Sequence, residues 1–252
     1  FYAKSRCQSS RKIAKRIRQV LEEGGAILDI GACSTRPGSV PPTPEKEYKA
    51  LRKACEIARK MVPTLPLSID TYRAEVAERL LDEFGVEIIN DISGGLLDPR
   101  MFEVIAKYRV AYVLTHIQGT PSDMQKNPHY DNVVQEVAQF FTERVALLRE
   151  RGVADIILDP GFGFGKDIDH NYTLLRNLAA FAMLELPILA GLSRKSMIYR
   201  LLETDAEGAL EGTQTLNTLA LANGAALLRV HDVQPAVQAV KLFCRYAKQR
   251  CL

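Results

Sequence analysis

Short apolar runs alternate with longer amphipathic segments along almost the whole chain. Seven runs are rich in Val, Ile, Leu and Ala, and most of them are apolar nearly throughout rather than at every second position. Runs of this kind are typical of strands that are buried on both faces of a parallel sheet. They lie at residues 26–30, 65–69, 86–89, 110–114, 156–158, 188–192 and 225–230.

Between these runs, apolar residues recur every three or four positions, which predicts amphipathic helices. Within residues 132–151, for example, Val133, Val137, Val145 and Leu148 fall on one stripe. The other predicted helices cover residues 9–21, 45–61, 74–84, 101–107, 171–183, 195–202, 212–223 and 237–249. Strands that alternate with helices in this way predict an α/β fold with a parallel sheet.

A polar or charged residue ends or closely follows every predicted strand. These residues are Asp29, Asp70, Asn90, His116, Asp159, Lys195 and His231. In a (β/α)8 barrel all strand ends meet at one mouth, whereas an open doubly wound sheet gathers its ligand groups in one crevice. The even distribution favours a (β/α)8 TIM barrel that forms a single domain over residues 1–252. Such a barrel needs eight strands and only seven are found, so we expect the first strand to precede Phe1.

Composition excludes several other classes of protein. Of the 252 residues, 47% are hydrophobic and 25% are charged, as is usual for a globular enzyme. The net charge of +3 is too small to indicate a nucleic-acid partner, and no apolar run is long enough to cross a membrane. The five cysteines form no C-x-x-C pair and indicate neither a disulfide framework nor a zinc site, which favours a reducing, cytoplasmic location.

The strongest candidate chemistry lies in residues 156–166, I-I-L-D-P-G-F-G-F-G-K, and 191–195, G-L-S-R-K. Each segment begins as an apolar strand and ends in glycine and charge. The carboxylate of Asp159 and the ammonium of Lys195, at neighbouring strand ends, suit a flat polar heterocycle. Two aromatic rings could stack on such a ligand, Phe162 and Phe164. A glycine-rich turn without a function remains the alternative for this stretch taken alone.

Other strand-end residues allow both a ligand-binding and a structural role. Asp70 could stabilise a cation or cap the helix that follows it, and the amide of Asn90 suits the edge of a heteroaromatic ring. Arg229 and His231 point to the same side of one strand and form a candidate anion site. An internal salt bridge is the alternative for Arg229, since charge is rarely buried unpaired. Arg36, on a long loop, could bind a carboxylate or phosphate or simply be solvated.

Seven motifs are spread over nearly the whole chain. They are D-I-G-A-C-S-T-R-P-G (29–38), S-I-D-T-Y (68–72), I-I-N-D-I-S-G-G (88–95), T-H-I-Q-G-T-P-x-x-M-Q (115–125), I-L-D-P-G-F-G-F-G-K (157–166), G-L-S-R-K-S-M-I (191–198) and R-V-H-D-V (229–233). Together they resemble the dihydropteroate synthase family of pterin-binding TIM barrels. The resemblance implies condensation of 6-hydroxymethyl-7,8-dihydropterin diphosphate with 4-aminobenzoate, which gives 7,8-dihydropteroate and pyrophosphate for folate synthesis.

Carried over residue by residue, the resemblance assigns two substrate pockets and a leaving-group site. The pterin pocket is assigned to Asp70, Asn90, Asp159, Lys195 and Arg229. The 4-aminobenzoate pocket, where sulfonamides compete, is assigned to Thr35, Arg36, Pro37, Phe164 and Ser196. Pyrophosphate, with Mg²⁺ as cofactor, would be held by Arg36, Arg229 and His231. The catalytic residues implied are Asp70, Lys195 and Arg36, and the long closing helices could serve the homodimer that we expect.

Two departures from the family pattern stand out. Thr115 precedes His116, at a position where the family usually has a methionine that packs on the pterin. This wall of the pterin pocket is therefore smaller and more polar. The family's first strand, which supplies the asparagine that binds Mg²⁺, would lie upstream of Phe1. We therefore assign no metal ligand in this chain, and we expect it as written to bind pyrophosphate poorly and to turn over little.

Two other readings remain open. A methyltetrahydrofolate-dependent methyltransferase of the related barrel family would share the strand-end aspartate and asparagine but is not expected to carry S-T-R-P or S-R-K-S. A non-catalytic pterin-binding barrel is the second, since a fold alone does not guarantee chemistry.

Overall fold

The computed structural model describes Cys7 and residues 9–33, 41–121, 123–124 and 126–248. The strands are β1 (Leu28–Gly31), β2 (Leu67–Asp70), β3 (Ile88–Asp91), β4 (Ala111–Thr115), β5 (Ile156–Asp159), β6 (Ile188–Ala190) and β7 (Ala225–Leu228). The α-helices are α1 (Ser10–Glu22), α2 (Pro44–Met61), α3 (Ala74–Phe84), α4 (Met101–Tyr108), α5 (Val133–Glu150), α6 (Ile168–Arg176), α7 (Ser196–Tyr199), α8 (Leu210–Ala222) and α9 (Val233–Tyr246). A 3₁₀ helix, Leu178–Leu184, follows α6.

The strands form one parallel sheet in the order β1-β2-β3-β4-β5-β6-β7. Each connection between neighbouring strands contains at least one helix, as a parallel crossover requires. The predicted strands and the predicted barrel-type α/β architecture are thereby confirmed. Within the described residues, no ladder of hydrogen bonds joins β7 back to β1.

The sheet is strongly curled, which a contact between its two ends demonstrates. Arg229, just after β7, donates from Nε to Oδ2 of Asp29 in β1 over 2.7 Å. In a flat sheet with a strand spacing of ~4.8 Å, the first and seventh strands would lie about 29 Å apart. The strands therefore bend around a common axis, as they do in a (β/α)8 barrel.

Side chains alternate between the two faces of the curled sheet. On the convex face, residues such as Ile69, Tyr112 and Leu158 pack under the helices in the main core, to which all the described α-helices contribute. On the concave face, a small apolar cluster is formed by Ile88, Val113 and Leu189. One step farther along the strands, the same face becomes polar, with Asp29, Asp70, Asn90, Thr115 and Asp159. The mouth therefore has an apolar floor and a polar wall.

Two helices begin at least three residues earlier than the sequence predicts, and the helix predicted over residues 195–202 ends early, at Tyr199. The helix predicted over residues 171–183 is divided into α6 and the 3₁₀ helix. α6 begins early because Asp167 caps it and accepts from the backbone N–H of His170 at 2.7 Å. α9 begins at Val233 rather than at residue 237, because Pro235 lies in the first turn, where its missing N–H breaks no helical hydrogen bond.

No helix among the described residues is long and apolar enough to span a membrane.

Candidate functional site at the mouth of the sheet

An arginine and two aspartates lie at the mouth. Arg229 donates from Nε to Oδ2 of Asp29 over 2.7 Å and from Nη2 to Oδ2 of Asp70 over 2.6 Å. The other carboxylate oxygen of Asp29 accepts from Ser68 Oγ at 2.6 Å and from Asn90 Nδ2 at 3.3 Å. The salt-bridge alternative considered for Arg229 is therefore present, with partners on β1 and β2.

Asp70 does not cap α3. The N-cap position of α3 is Arg73, and the first backbone N–H of the helix, that of Ala74, donates to Asp98 Oδ2 at 3.0 Å. This leaves the carboxylate of Asp70 in the mouth beside Arg229, where it can act on a ligand.

Burial and charge oppose each other in this cluster. Burial raises the pKa of Asp70 to about 6, and the attraction of Arg229 offsets this only in part. Burial lowers the pKa of Arg229, but Asp29 and Asp70 together outweigh it and raise that pKa overall. The Arg229 side chain is 40% exposed, so it stays charged and within reach of an anion that enters the mouth.

Asp159 and Lys195 border the same small space beside Gly191. A Cβ atom at Gly191 would lie 3.8 Å from Lys195 Nζ and 4.0 Å from Asp159 Oδ2. Burial lowers the pKa of Lys195 to about 8, against the attraction of Asp159, and burial raises the pKa of Asp159. Oδ1 of Asp159 accepts from the N–H of Gly161 at 2.8 Å. A donor and an acceptor thus lie side by side at the mouth.

The glycine loop after β5 holds its two phenylalanines differently from each other. Gly161 has φ +67°, and a Cβ there would overlap the carbonyl oxygen of His116, so only glycine fits. Phe164 is buried in a satellite cluster, with Lys195 Nζ 4.9 Å from its ring centroid. Phe162 is fully buried in the main core, so the stacking expected of its ring is wrong. The carbonyl of Phe162 instead accepts a hydrogen bond from Lys195 Nζ.

Lys166 is a buried lysine that the sequence analysis did not single out. It is 2% exposed, and its Nζ lies 2.8 Å from Nδ1 of His116. It also donates to the carbonyls of Gly161 at 3.1 Å and Phe164 at 3.0 Å. Burial lowers the pKa of both Lys166 and His116 well below their ordinary values. The rim histidine therefore joins the end of β4 to the glycine loop.

His231 is held at the end of β7 by its neighbours. Its Nδ1 lies 2.9 Å from Ser193 Oγ, and its carbonyl accepts from the guanidinium of Arg16 on α1. Burial lowers the pKa of His231 to about 4, so the ring is neutral at pH 7 and offers an anion a hydrogen bond rather than a charge. Asp232 is paired with Arg194, whose Nε donates to it over 2.7 Å.

Glu47 is a second buried charge that the sequence analysis missed. It is fully buried on α2, accepts from Thr71 Oγ1 at 2.5 Å and pairs with Arg73. These contacts tie the start of α2 to the end of β2, next to Asp70. The signal was its place on the apolar stripe of α2, four residues before Leu51 and eight before Cys55.

Three of the residues assigned to the 4-aminobenzoate pocket, Thr35, Arg36 and Pro37, lie outside the described residues. Of that pocket the structure describes Phe164 and Ser196, the first residue of α7, directly after Lys195. Among the residues that the structure describes, no group of three or more His, Cys, Asp or Glu could hold a metal ion.

Comparison with known sequences gives a consistent result. Residues 1–231 match the family described as pterin binding enzyme. The chain is 39% identical over 231 residues to dihydropteroate synthase from Escherichia coli (strain K12), which covers 90% of this chain and 80% of that protein. It is 40% identical over 245 residues to a bifunctional dihydropteroate synthase/dihydropteroate reductase from Helicobacter pylori, and it spans 64% of that longer protein.

Solved structures give the same result. The Yersinia pestis dihydropteroate synthase in a sulfonamide drug complex matches with a TM-score of 0.90 and 33% identity, over 95% of this chain and 86% of that one. The Xanthomonas albilineans dihydropteroate synthase with 4-aminobenzoic acid matches with a TM-score of 0.88 and 35% identity, over 99% and 89%.

Proposed function

Because this chain belongs to the dihydropteroate synthase family of pterin binding enzymes, we propose that it joins 6-hydroxymethyl-7,8-dihydropterin diphosphate to 4-aminobenzoate and releases pyrophosphate. The observation that carries the proposal is the mouth, where Arg229 binds Asp70 and lies with Asp159 and Lys195 around Gly191. The related structures, one in a sulfonamide drug complex and one with 4-aminobenzoic acid, support the class of substrate. The reductase activity in the name of the longer Helicobacter relative is not part of the proposal.

The pterin is proposed to bind along the Asp159–Lys195 edge. Asp159 accepts from the 2-amino group and a ring N–H, while Lys195 donates to the ring carbonyl and a ring nitrogen. To do so, Lys195 exchanges its hydrogen bond to the Phe162 carbonyl for one to the ligand. Asn90, buried beside Asp29, adds an amide that can donate and accept.

The reaction is a substitution at the methylene carbon of the pterin. The carbon–oxygen bond to the diphosphate breaks, and the electron pair leaves with pyrophosphate. The amine nitrogen of 4-aminobenzoate then forms the new carbon–nitrogen bond and loses its proton. Asp70, which is mostly ionised at pH 7, is placed to stabilise the developing cationic methylene, and Arg229 the departing anion. No nucleophilic side chain is needed.

The 4-aminobenzoate pocket is proposed to form between Phe164 and Ser196 on one side and Thr35, Arg36 and Pro37 on the other. The ring of Phe164, under Lys195, lies next to the pterin edge, which would bring the amine towards the methylene. A carboxylate on this second substrate suits a bidentate contact with Arg36.

Mg²⁺ is proposed to arrive as a complex with the diphosphate. The ion commonly keeps several waters and binds through one or two protein ligands plus substrate phosphates. The described residues offer no cluster for a protein-only site, so no residue of this chain is assigned to the metal. When bound, Mg²⁺ would neutralise charge on the leaving group.

We further propose a homodimer in the cytoplasm. Large apolar side chains are exposed on α8 and α9, at Leu219, Leu242 and Tyr246, and their burial against a second copy would be favourable. A diphosphate ester is too highly charged to cross a bilayer unaided, so the activity belongs where the ester is made. Light scattering during gel filtration, compared between the parent and Leu242→Glu, tests the dimer. A parent of monomer mass contradicts it.

Calorimetry and turnover together test the function. The protein is titrated with 6-hydroxymethylpterin and then, with pyrophosphate present, with 4-aminobenzoate; pyrophosphate release reports turnover. Asp159→Asn should remove pterin binding, while Asp155→Asn, an exposed aspartate just before the same strand, should not. Binding of the pterin without 4-aminobenzoate would instead indicate a non-catalytic pterin-binding barrel, and no pterin binding at all would refute the proposal.

A further inference from the structure

Ser193 and His231 are joined by two hydrogen bonds across the loops that follow β6 and β7. Ser193 Oγ accepts from the backbone N–H of His231 at 3.2 Å and lies 2.9 Å from Nδ1 of its ring. The next residue of each loop is paired as well, since Arg194 donates from Nε to Asp232 Oδ2 over 2.7 Å and from Nη2 to Oδ1 over 3.1 Å. These successive pairs hold the two loops together and fix the position of the imidazole.

The hydrogen bonds of Ser193 determine which ring nitrogen of His231 carries the proton. A serine hydroxyl has one hydrogen to donate and two lone pairs that accept. Ser193 is 3% exposed, and within the described part of the chain its Oγ bonds only the backbone N–H and the ring of His231. If Nδ1 carried the proton, the hydroxyl hydrogen would be buried without an acceptor, which costs free energy. The hydroxyl therefore donates to Nδ1, and the neutral ring has its proton on Nε2.

This tautomer decides how the ring can meet an anion. Arg229, two residues earlier, lies close enough for its charge to contribute to the lowered pKa of His231, so both side chains belong to the same anion site. The oxygen atoms of a diphosphate mainly accept hydrogen bonds near neutral pH. A ring with its proton on Nε2 donates from that atom, whereas a ring with its proton on Nδ1 presents a lone pair that repels the anion.

We propose that Ser193 is a positioning residue for the leaving group, an inference that rests on the proposed function. Its hydroxyl donates to Nδ1 of His231 and keeps the proton on Nε2, from which the ring donates to the diphosphate. Ser193 acts through His231 and makes no contact with the substrate itself. Its loss should therefore weaken ligands that carry a diphosphate and spare those that carry only the pterin ring.

Nitrogen-15 NMR of protein labelled at histidine measures the tautomer, because the protonated and unprotonated nitrogens of a neutral imidazole give well-separated signals. The signals of His231 are those that vanish in His231→Gln. At pH 7 the parent and Ser193→Thr, which keeps the hydroxyl, should have the proton on Nε2, whereas Ser193→Ala should add a population with the proton on Nδ1. A parent with the proton on Nδ1, or a Ser193→Ala variant with an unchanged tautomer, would overturn the proposal.

Calorimetry with two ligands, both in the presence of Mg²⁺, tests the consequence for binding. Ser193→Ala should raise the Kd for 6-hydroxymethylpterin diphosphate about 3- to 10-fold and leave the Kd for 6-hydroxymethylpterin within about twofold of the parent. The matched control Ser93→Ala also removes a buried hydroxyl, which donates to Asp91 over 2.7 Å, but it should keep the ratio of the two affinities. Should Ser193→Ala not fold, Ser193→Cys takes its place, since a thiol is only a weak donor and the same selective loss is expected.

The outcomes also distinguish this inference from the proposed function. A parent protein that binds neither ligand refutes the function, and the inference with it. A parent that binds both, together with a Ser193→Ala variant that weakens both equally or weakens neither, refutes the inference alone.

Discussion

Replacing Asp70 by asparagine should stabilise the folded protein at neutral pH while removing the carboxylate that the reaction uses. Burial raises the pKa of Asp70 from its ordinary 3.8 to about 6, although Arg229 lies 2.6 Å away. Desolvation therefore outweighs the ion pair, and Asp29 adds to it as a second carboxylate on the same guanidinium. The fold favours the neutral acid, which an asparagine imitates in shape.

The sign and size of the effect follow from the two pKa values. Between pH 3.8 and about 6, the folded protein holds a proton that the unfolded chain has lost, so stability falls as pH rises through this window. The full shift corresponds to at most about 3 kcal/mol, and this figure already includes the attraction between Arg229 and the charged carboxylate. We expect Asp70→Asn to gain up to about 3 kcal/mol of unfolding free energy at pH 7, relative to the parent, and nothing below about pH 3.8.

Urea unfolding followed by circular dichroism at several pH values between 3.5 and 8 tests this. The parent is compared with Asp70→Asn and with Asp155→Asn, whose exposed side chain should show no such pH-dependent gain. A less stable Asp70→Asn at pH 7 would mean that the ion pair with Arg229 dominates. A gain of equal size at all pH values would mean that ionisation of Asp70 is not its cause.

Three further predictions concern the loops around the mouth. Gly161→Ala should abolish pterin binding or folding, because its Cβ would overlap the carbonyl of His116. The control Gly152→Ala, at φ +79° with open space around its Cβ, should lower the unfolding free energy by only about 1 kcal/mol in a thermal melt. Lys166→Met removes the donor to two buried carbonyls and should cost about 2–4 kcal/mol in urea unfolding; a loss below about 1 kcal/mol would show that these bonds contribute little. The value of kcat/KM should fall as pH rises through about 8, where Lys195 loses its proton. The pH profile of Lys195→Met should lack this fall, and a parent profile that stays flat to pH 9 would contradict the role of the ammonium.

Much of the fold could be predicted because parallel strands that are buried on both faces require nearly continuous apolar runs. Each of the seven runs contains or overlaps a strand of the structure. The division of the segment after β5 into α6 and a 3₁₀ helix could not be predicted from periodicity. It depends on a local side-chain cap at Asp167, which the apolar pattern does not record.

The candidate site could be predicted as far as strand direction alone determines it. Asp29, Asp70, Asn90 and Asp159 share one face because each lies on the same side of the alternation in its parallel strand. Their choice of partners could not be predicted, since Arg229 is 159 and 200 residues away from the aspartates that it binds. Lys166 and Glu47 were missed because charged residues are usually exposed, and only their contacts explain their burial.

Asn90 and Asp91 show what the alternation of faces means for variation in this chain. Asn90 faces the mouth, whereas Asp91 points outward and accepts from Tyr112 Oη at 2.8 Å and from the N–H of Gly95 at 2.9 Å. A substitution at Asn90 should therefore alter ligand binding, whereas a substitution at Asp91 should alter the stability of the fold. In a mutational scan along any of these strands, the loss of stability should therefore alternate with a period of two residues. Selection for altered ligand preference can then act on every second position without first unfolding the protein.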